Sequence, residues 1–556
     1  MSVRNGIVLL LALSTLSLLV GCGSTPSANA PPSGAFNNNS LSGTYVFSIS
    51  GADITAANDG INTTGSFFAM VGTLTASNGG LTGTIDIVDP SLALVAAGAT
   101  GTVNPVQTGL AATGGYSITS DGRGSGTISF PINGQTEQFG IDFVLSSSSD
   151  GQITRFDANG TGSGTFEQQG SVTQSGLGSY AFSLSGVDLD TNPFGAVGEF
   201  AVSGNAITGL YDINDARNSS GLTGNALTGS VTLASSSGAG TAQLITGTSY
   251  GTLSFDVWPI DATHLKFIET DGVEYTAGDA FTQQTSIPAG QFVYTMSGLD
   301  GDALLASGGV LTYDGSLNIS NGFEAMNDGN LTTIDQSTTV SGTLTTTGTS
   351  GRYQLSLAGF FNGNEGAVTT NNFAAYPSAS GILLLEIDGG GVTAGTALQQ
   401  TATTFAASQG YGLNLTGENV SDGAAEGFEV DDIAEFTANS GGTLSNGLID
   451  ENDEGTLEFD QQLGSGGTYN SAGTGYGAIM YPATNLTAIG TLNLAYFVAN
   501  SSTVIFIETD AGGQTGVGAL QTQSAPGASS ALAHTMSHFA SLRATSFIRA
   551  HQKKKK

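Results

Sequence analysis

The chain has 556 residues and a formal net charge of −33 at pH 7, although only 10% of its residues are charged. A chain this acidic repels nucleic acid and anionic lipid headgroups, so we expect no nucleic-acid partner, whereas a glycan or a cationic surface is compatible with the charge. The single cysteine excludes an intramolecular disulfide framework, and the sequence contains no Cys/His cluster, phosphate-binding loop or nucleophile elbow.

Residues 1–22 have the features of a segment that is removed on export. Arg4 precedes an apolar stretch too short and too early to be an ordinary membrane span, and the stretch ends in Leu19-Val20-Gly21-Cys22. This ending resembles the lipobox of bacterial lipoproteins. The resemblance implies that Cys22 becomes the acylated N-terminus and the site of lipid attachment. Because Gly23 rather than aspartate follows, the family's sorting rule implies a lipid-anchored protein of the outer membrane, on its periplasmic or cell-surface face.

The alternative for this segment is an ordinary secretory signal with a chance cysteine. Residues 23–40, which follow it, are rich in proline, serine and asparagine. Such a segment buries too little apolar surface to offset the entropy of the chain, so we expect a disordered tether. The tether would hold the first domain away from the lipid headgroups.

The body of the chain is one module that is repeated four times. The segment that ends each module contains Asp157, Asp271, Asp388 or Asp510, and these aspartates lie 114, 117 and 122 residues apart. The repeat predicts β modules at 41–171, 176–285, 288–401 and 405–524. Because the linkers are short, we expect a row of modules in contact rather than freely jointed domains.

Each module opens with a strand in which apolar residues alternate with small or polar ones. These strands are Tyr45–Gly51, Tyr180–Gly186, Phe292–Gly298 and Tyr411–Gly417. The alternation indicates one buried face, with Phe182 in the core and Ser183 outside it. About eight strands with short turns fit each module, which favours an antiparallel meander.

The sequence therefore predicts an all-β protein of four tandem modules. A meander of this length either closes into an up-and-down barrel, which we favour because the first and last strands can pair, or divides into a two-sheet sandwich. The module resembles avidin-like and lipocalin-like barrels in outline only, since none of their ligand-binding motifs is present.

The last segment, 525–556, differs from everything before it. It contains six basic residues and no acidic one, and we expect a basic, disordered tail or, alternatively, an arm that docks on the acidic body. His534 and His538 lie four residues apart, as metal ligands on a helix can, but no third ligand is near.

Few residues of the modules are candidates for catalysis. The only histidine in the modules, His264, has the position of a solvated turn residue. Glu269 and Asp271 share one strand face, as do Glu386 with Asp388 and Glu508 with Asp510, and such carboxylate pairs can hydrolyse glycosides. Their recurrence, and Arg155 at the first module's corresponding position, favour a structural role in turns.

A second shared block could bind calcium. Asp212–Asp215 and Asp450–Glu454 offer oxygen ligands, but both lack the full spacing of a calcium loop, and the third module has Ala325 where a ligand would be needed. Asp and Asn are also ordinary turn residues. We therefore expect no cofactor, with calcium as the weaker alternative.

The sequence favours a non-enzymatic, lipid-anchored surface protein that acts in adhesion, envelope structure or matrix contact. A glycan- or small-ligand-binding lipoprotein is the alternative, and an enzyme acting on extracellular polysaccharide is the third hypothesis. Deep polar cavities would favour the alternative, and filled interiors would favour the first hypothesis.

Overall fold

The computed structural model describes residues 36–524 except 54–65, 91–103, 133, 191, 217, 235–238, 301–302, 329–334, 348–350, 361–369, 389–390, 407, 420–427, 472–474, 484–485, 487–489 and 511–513. The expected signal segment with Cys22, most of the tether and the tail with His534 and His538 lie outside the described residues. Within the described ranges, no helix is both long and apolar enough to cross a membrane.

The strands fall into four groups in chain order. The first group contains β1 (Gly43–Asp53), β2 (Ser66–Ser77), β3 (Gly80–Val88), β4 (Val106–Ile118), β5 (Arg123–Ile132), β6 (Gln135–Leu145), β7 (Asp150–Asp157) and β8 (Gly160–Gln168). The second contains β9 (Ser179–Asp188), β10 (Pro193–Ser203), β11 (Ala206–Asp215), β12 (Asn218–Leu233), β13 (Gly240–Ile245), β14 (Thr252–Pro259), β15 (His264–Glu269) and β16 (Glu274–Thr282).

The remaining two groups complete the chain. The third contains β17 (Gly290–Asp300), β18 (Ala303–Tyr313), β19 (Asn318–Asp328), β20 (Asp335–Thr346), β21 (Tyr353–Ala358), β22 (Asn371–Ser378), β23 (Gly381–Glu386) and β24 (Gly391–Gln399). The fourth contains β25 (Gln409–Asn419), β26 (Phe428–Asn439), β27 (Thr443–Asp453), β28 (Thr456–Gln462), β29 (Thr468–Ser471), β30 (Tyr476–Pro482), β31 (Thr491–Val498), β32 (Thr503–Glu508) and β33 (Gln514–Thr522).

Each group closes into an antiparallel barrel because its first strand pairs with its last. β1 pairs with β8, β9 with β16, β17 with β24 and β25 with β33, while neighbours in sequence also pair within each barrel, except β28 and β29. In the fourth barrel β28 and β29 together take the fourth position, since β27 pairs with both of them as well as with β26. The prediction of four all-β modules is confirmed, and the barrel rather than the sandwich is the observed form.

The alternating residues of the first strands fill the barrel interiors as expected. In the second barrel Tyr180, Phe182 and Leu184 belong to one apolar core, and Tyr180 packs against Phe200 with ring centroids 5.4 Å apart. The expectation that the other face lies in solvent is wrong. Ser183 points out of the barrel but is only 3% exposed, because a neighbouring barrel covers it.

The modules are in contact, as predicted, but they form a closed ring rather than an open row. Strands six to eight of each barrel pack against the first three strands of the preceding barrel: β14–β16 on β2 and β3, β22–β24 on β9–β11, and β31–β33 on β17–β19. The first barrel repeats this contact with the fourth, since β6–β8 pack on β25 and β26. Four like head-to-tail contacts close a ring when their rotation brings the last unit onto the first.

We name these contact surfaces seams 1–2, 2–3 and 3–4, and the surface between barrels 4 and 1 the closing seam. Chain linkers bridge the first three seams, whereas only noncovalent contacts hold the closing seam. One apolar cluster runs through seams 1–2 and 2–3 and includes Val88, Trp258, Ile268 and Leu385. A second fills seam 3–4, around Ala325, Phe497 and Ile507.

Candidate functional site

The shared acidic block lies in the seams and links neighbouring barrels. Asn214 donates from its side-chain amide to the main-chain oxygens of Glu386 at 2.9 Å and Gly391 at 2.8 Å, in the last turn of the next barrel. Asn327 and Asn452 make the equivalent contacts in seam 3–4 and in the closing seam. In seam 1–2 the equivalent residue is Val88, which packs in the apolar cluster.

An aspartate two residues before these positions is held by its own barrel. Asp86, Asp212 and Asp450 each accept a main-chain N–H from the strand beside them, donated by Gly109, Gly224 or Asp460 at 2.5–2.9 Å. These three donors have positive φ angles of 65°, 60° and 49°. The left-handed backbone turns each N–H toward the carboxylate, and glycine adopts it without strain.

The same aspartates accept a second donor from the next barrel. Trp258 donates its indole N–H to Asp86 at 2.7 Å, and Arg123 donates to Asp450 at 2.7 Å. Asp212 is held by the guanidinium of Arg352 at 2.6 and 2.8 Å. The third module lacks this aspartate, and Ala325 there packs in an apolar seam.

These contacts occupy the carboxylate oxygens of Asp212 and Asp450, which the calcium alternative would use as ligands. Asp212 and Asp450 accept arginine N–H groups across the seams, and Asn214 and Asn452 donate to main-chain oxygens there. In the part of the chain that the structure describes, no group of three or more acidic, histidine or cysteine side chains has the arrangement of a metal site.

The glutamine that ends a module docks on the following barrel. Gln169 donates to the main-chain oxygen of Pro259 at 2.8 Å, and Gln400 to that of Val498 at 2.8 Å. Gln523 makes the same contact across the closing seam, to Leu145 at 3.3 Å, and also donates to the oxygen of Asp121 at 2.7 Å. The fourth module therefore docks on the first barrel through the same glutamine contact, although no linker joins these two barrels.

The closing seam differs from the others because polar groups fill it. Asp431, on the outward face of β26, is fully buried and accepts hydroxyl hydrogen bonds from Thr161 at 2.6 Å and Ser163 at 2.5 Å of the first barrel. Asn414 donates to Ser163 at 3.1 Å. Glu429, two residues before Asp431 on the same face, reaches the main chain of β1, since a Cβ atom at Gly51 would lie 2.8 Å from its Oε1.

One buried arginine compensates part of this negative charge. Arg123 binds Asp450 at 2.7 Å and Asp460 at 2.6 Å in the fourth barrel, and Asp121 at 3.4 Å in its own. Asp142, on the outward face of β6, lies within the electrostatic reach of Asp450 and Arg123.

Burial shifts the acid–base properties of the closing seam. Desolvation raises the pKa of Asp431 to about 6 even though Ser163 and Thr161 donate to it. Desolvation also raises the pKa of Glu435 to about 9, with Asp121 adding repulsion, and it raises the pKa of Glu429 well above the usual value. Glu435 therefore favours the protonated form at pH 7, whereas Asp431 is mostly ionised there.

Seam 1–2 contains a smaller set of polar groups. His264 is 5% exposed, so the expected solvated turn histidine is wrong. Its ring lies 2.7 Å from Asp279 and 3.2 Å from Glu167 of the first barrel, and it stacks on Phe281 at 4.3 Å. Burial lowers the pKa of His264, but the carboxylates of Glu167 and Asp279 outweigh it and raise the pKa above the usual value.

The recurring Glu/Asp pairs lie at the turns between the last two strands. Glu269 is fully buried inside the second barrel and accepts from Thr276 at 2.6 Å and from the main chain of Glu274 at 3.0 Å, whereas Asp271 accepts main-chain N–H groups of its exposed turn. Glu386 similarly accepts from Thr393. The two carboxyls of a pair thus have different environments and partners.

Arg155 takes the equivalent place inside the first barrel. Its guanidinium lies 3.8 Å from the centre of the Phe139 ring and 3.1 Å from Asp157. The cation is therefore held by an aromatic face and a carboxylate rather than by solvent.

Two of the cavities that described residues line bear on ligand binding. The first barrel encloses about 40 Å³, lined by apolar side chains that include Leu41, Tyr45 and Phe143. This space accommodates water-sized groups, and ligand sites commonly measure 300–1,000 Å³. A groove of about 420 Å³ lies where the second, third and fourth barrels approach each other, and its lining includes Gln284, Phe292 and Asn500.

The fold and these contacts define an all-β protein whose four barrels are joined head to tail in one chain. No family model matches the sequence, and no curated protein matches it. Sequence reasoning found the acidic blocks as a repeated motif, but it did not connect them with contacts between modules. It did not single out Arg123, whose counterpart in the third barrel is Arg352, or Asp431.

Proposed function

We propose that this is a non-enzymatic protein of the bacterial envelope, anchored in the outer membrane through a lipid on Cys22, that serves adhesion, envelope structure or contact with the surrounding matrix. The observation that carries the proposal is the ring. Four barrels that bind each other through four seams form a body that resists bending, and such a body suits mechanical contact. The packed interior of the first barrel further supports this role over the capture of a small molecule.

The outward strands supply a surface for such contact. In the first barrel Thr75, Thr82, Thr113 and Ser129 are opposite one another on β2, β3, β4 and β5, and the three threonines are exposed. They form an uncharged row of hydroxyl groups, while about half of the acidic residues are buried. A neutral, hydroxyl-rich polymer fits this surface better than a cationic one. Its hydroxyl groups can exchange hydrogen bonds with the threonines, whereas a cationic group would find no opposite charge in this row.

The test compares cells that display the full chain with cells that display Cys22→Ser and Thr82→Glu/Thr113→Glu variants. We expect the full chain to fractionate with the outer membrane and to increase retention of cells on neutral polysaccharide. Cys22→Ser should release the protein, and the two glutamates should abolish retention without changing the thermal transition. Retention that is equal for all three proteins would contradict the proposal.

The groove favours a second candidate, a glycan- or small-ligand-binding protein. Its lining combines apolar side chains, such as Ile287 and Phe292, with amide and hydroxyl groups, such as Gln399 and Ser380, and it includes no charged residue. This composition is typical of sites for neutral polar ligands. We expect saturable binding of a mono- or oligosaccharide if this candidate is right, and Gln399→Ala and Ser380→Ala should weaken it. Release of sugar from polysaccharide in the same screen would instead favour the third hypothesis, an enzyme.

A further inference from the structure

We propose that the closing seam is a proton-controlled closure: the ring is closed while the carboxyl groups buried in this seam hold protons, and it opens there, between barrels 4 and 1, when they ionise. The inference goes beyond the proposed function and does not depend on it. Four features of the structure support it: the charge balance, the lack of donors, the smaller apolar contacts across the seam and the lack of a linker.

The first feature is the balance of charged groups that face each other in the seam. From the fourth barrel these are Glu418 on β25, Glu429, Asp431 and Glu435 on β26, Asp450 on β27 and Asp460 on β28. From the first barrel they are Asp121, which precedes β5, Arg123 on β5 and Asp142 on β6. Arg155 on β7 also acts on this seam, although it lies inside the first barrel. Strand β8 contributes the hydroxyl groups of Thr161 and Ser163. Eight carboxyls thus face two guanidinium groups.

The second feature is the shortage of hydrogen-bond donors for ionised carboxylates. No donor among the described residues reaches either carboxyl oxygen of Glu429, which is 4% exposed. Asp431 lies within hydrogen-bonding reach of Glu429, so a protonated Glu429 has an acceptor beside it. Ionisation of both would place two like charges together in a buried site, which is strongly unfavourable.

The third feature is the kind of contact that opposes opening. Apolar clusters fill the other three seams, and their contribution does not change with pH. Seam 1–2 also contains a carboxyl pair, Asp86 and Asp256, in which burial raises the pKa of Asp86 to about 7. That pair lies among Val88, Trp258 and Ile268. Across the closing seam the described residues make smaller apolar contacts, such as that of the Phe156 and Phe459 rings, whose centroids lie 4.8 Å apart.

The fourth feature is connectivity. A linker keeps the two barrels of every other seam at high effective concentration, so those seams re-form readily after a local opening. Barrels 4 and 1 are the two ends of the described chain, and only the contacts of the closing seam hold them together. Weakening these contacts is therefore sufficient to open the ring into a row of four barrels.

The direction of the pH effect follows from the raised pKa values. The pKa of Asp431 is about 6 and that of Glu435 about 9, and both exceed the values of an unfolded or solvent-exposed carboxyl. Groups of this kind bind protons more tightly in the closed ring, so closure weakens as the pH rises from about 4 to about 9.

The experiment measures the distance across the closing seam with spin labels in the full chain carrying Cys22→Ser. Labels at Asn159→Cys and Thr456→Cys report on this seam, because both positions are exposed and the turns that hold them are in contact. Labels at Gln168→Cys and Thr263→Cys report on seam 1–2. Between pH 5 and pH 9 we expect the first distance to lengthen and broaden and the second to stay unchanged.

Neutral amides then distinguish protonation from other effects of pH. Glu429→Gln/Glu435→Gln imitates the protonated carboxyls and should keep the first distance short at pH 9. Asp142→Asn is a second variant of the same kind from the opposite barrel, and Glu137→Gln, exposed on the same strand as Asp142, is the matched control that should respond as the parent does. An unchanged first distance, an equal change in both distances, or amide variants that open like the parent would each overturn the proposal.

Discussion

The side-chain amide of Asn452, in the fourth barrel, donates to the main-chain oxygen of Arg155, in the first barrel, at 3.1 Å. The two residues are almost 300 positions apart in the sequence, yet the contact has counterparts between consecutive barrels at Asn214 and Asn327. The ring is therefore closed by the same side-chain contact that joins its linked members.

The first prediction concerns these asparagines. Asn214→Ala, Asn327→Ala and Asn452→Ala should each lower the free energy of unfolding by about 1–3 kcal/mol, because each leaves buried main-chain oxygens without a donor. Calorimetry of the full chain measures the loss. Asn205→Ala is the control, since Asn205 is exposed and its amide bonds only to Thr232, so its effect should stay within about 0.5 kcal/mol. Equal effects at Asn205 and Asn214 would contradict the assigned role.

The second prediction concerns the buried arginine of the closing seam. Arg123→Gln should cost about 3–5 kcal/mol, because Asp450 loses its cation in a buried site, while Asp460 is exposed. Asp450→Asn should cost less, since it also removes the repulsion with Asp142. In a double-mutant cycle at pH 7 the combined variant should therefore lose less stability than the sum of the single variants. Strict additivity would show that the two side chains do not interact.

The third prediction separates the barrel core from its solvent face. Leu227 and Thr228 are consecutive on β12, one buried at 2% exposure and the other exposed. Leu227→Ala should cost about 2–5 kcal/mol and Thr228→Ala about 0.5 kcal/mol or less. Denaturant unfolding of the full chain measures both. Ser183 cannot serve as the exposed control, because another barrel covers it. Ser183→Phe should instead weaken the contact between the two barrels.

The fourth prediction concerns His264 and pH. Its pKa is raised by Glu167 and Asp279, so the folded protein holds the imidazolium more tightly than the unfolded chain does. The resulting stabilisation is fully present below about pH 6.5 and is lost as the pH rises through the folded pKa. The stability difference between the parent and His264→Gln should therefore shrink between pH 6 and pH 9. A difference that is constant over this range would exclude a protonated His264.

How far the sequence predicts the structure can be judged from the second module. Its opening strand, Tyr180–Gly186, predicts a buried face from period-two alternation, and Phe182 does lie in the barrel core. The shared alternation of first and last strands also predicts closure, which the pairing of β9 with β16 confirms. These predictions succeed because alternation is a local property that burial inside a barrel imposes directly on the strand.

The ring itself was decided only by the tertiary structure. Ser183 has the composition of a solvent-facing position, and a small hydroxyl residue is equally suited to water and to a close approach between two barrels. Asp212 likewise accepts hydrogen bonds whether the donor is water in a turn or Arg352 of the next barrel. The sequence alone determined the four β modules, because the period of apolar residues reports which face is buried, and it favoured the barrel over the sandwich. Which polar residues join the barrels depends on partners 90 or more positions away, and no local pattern carries that information.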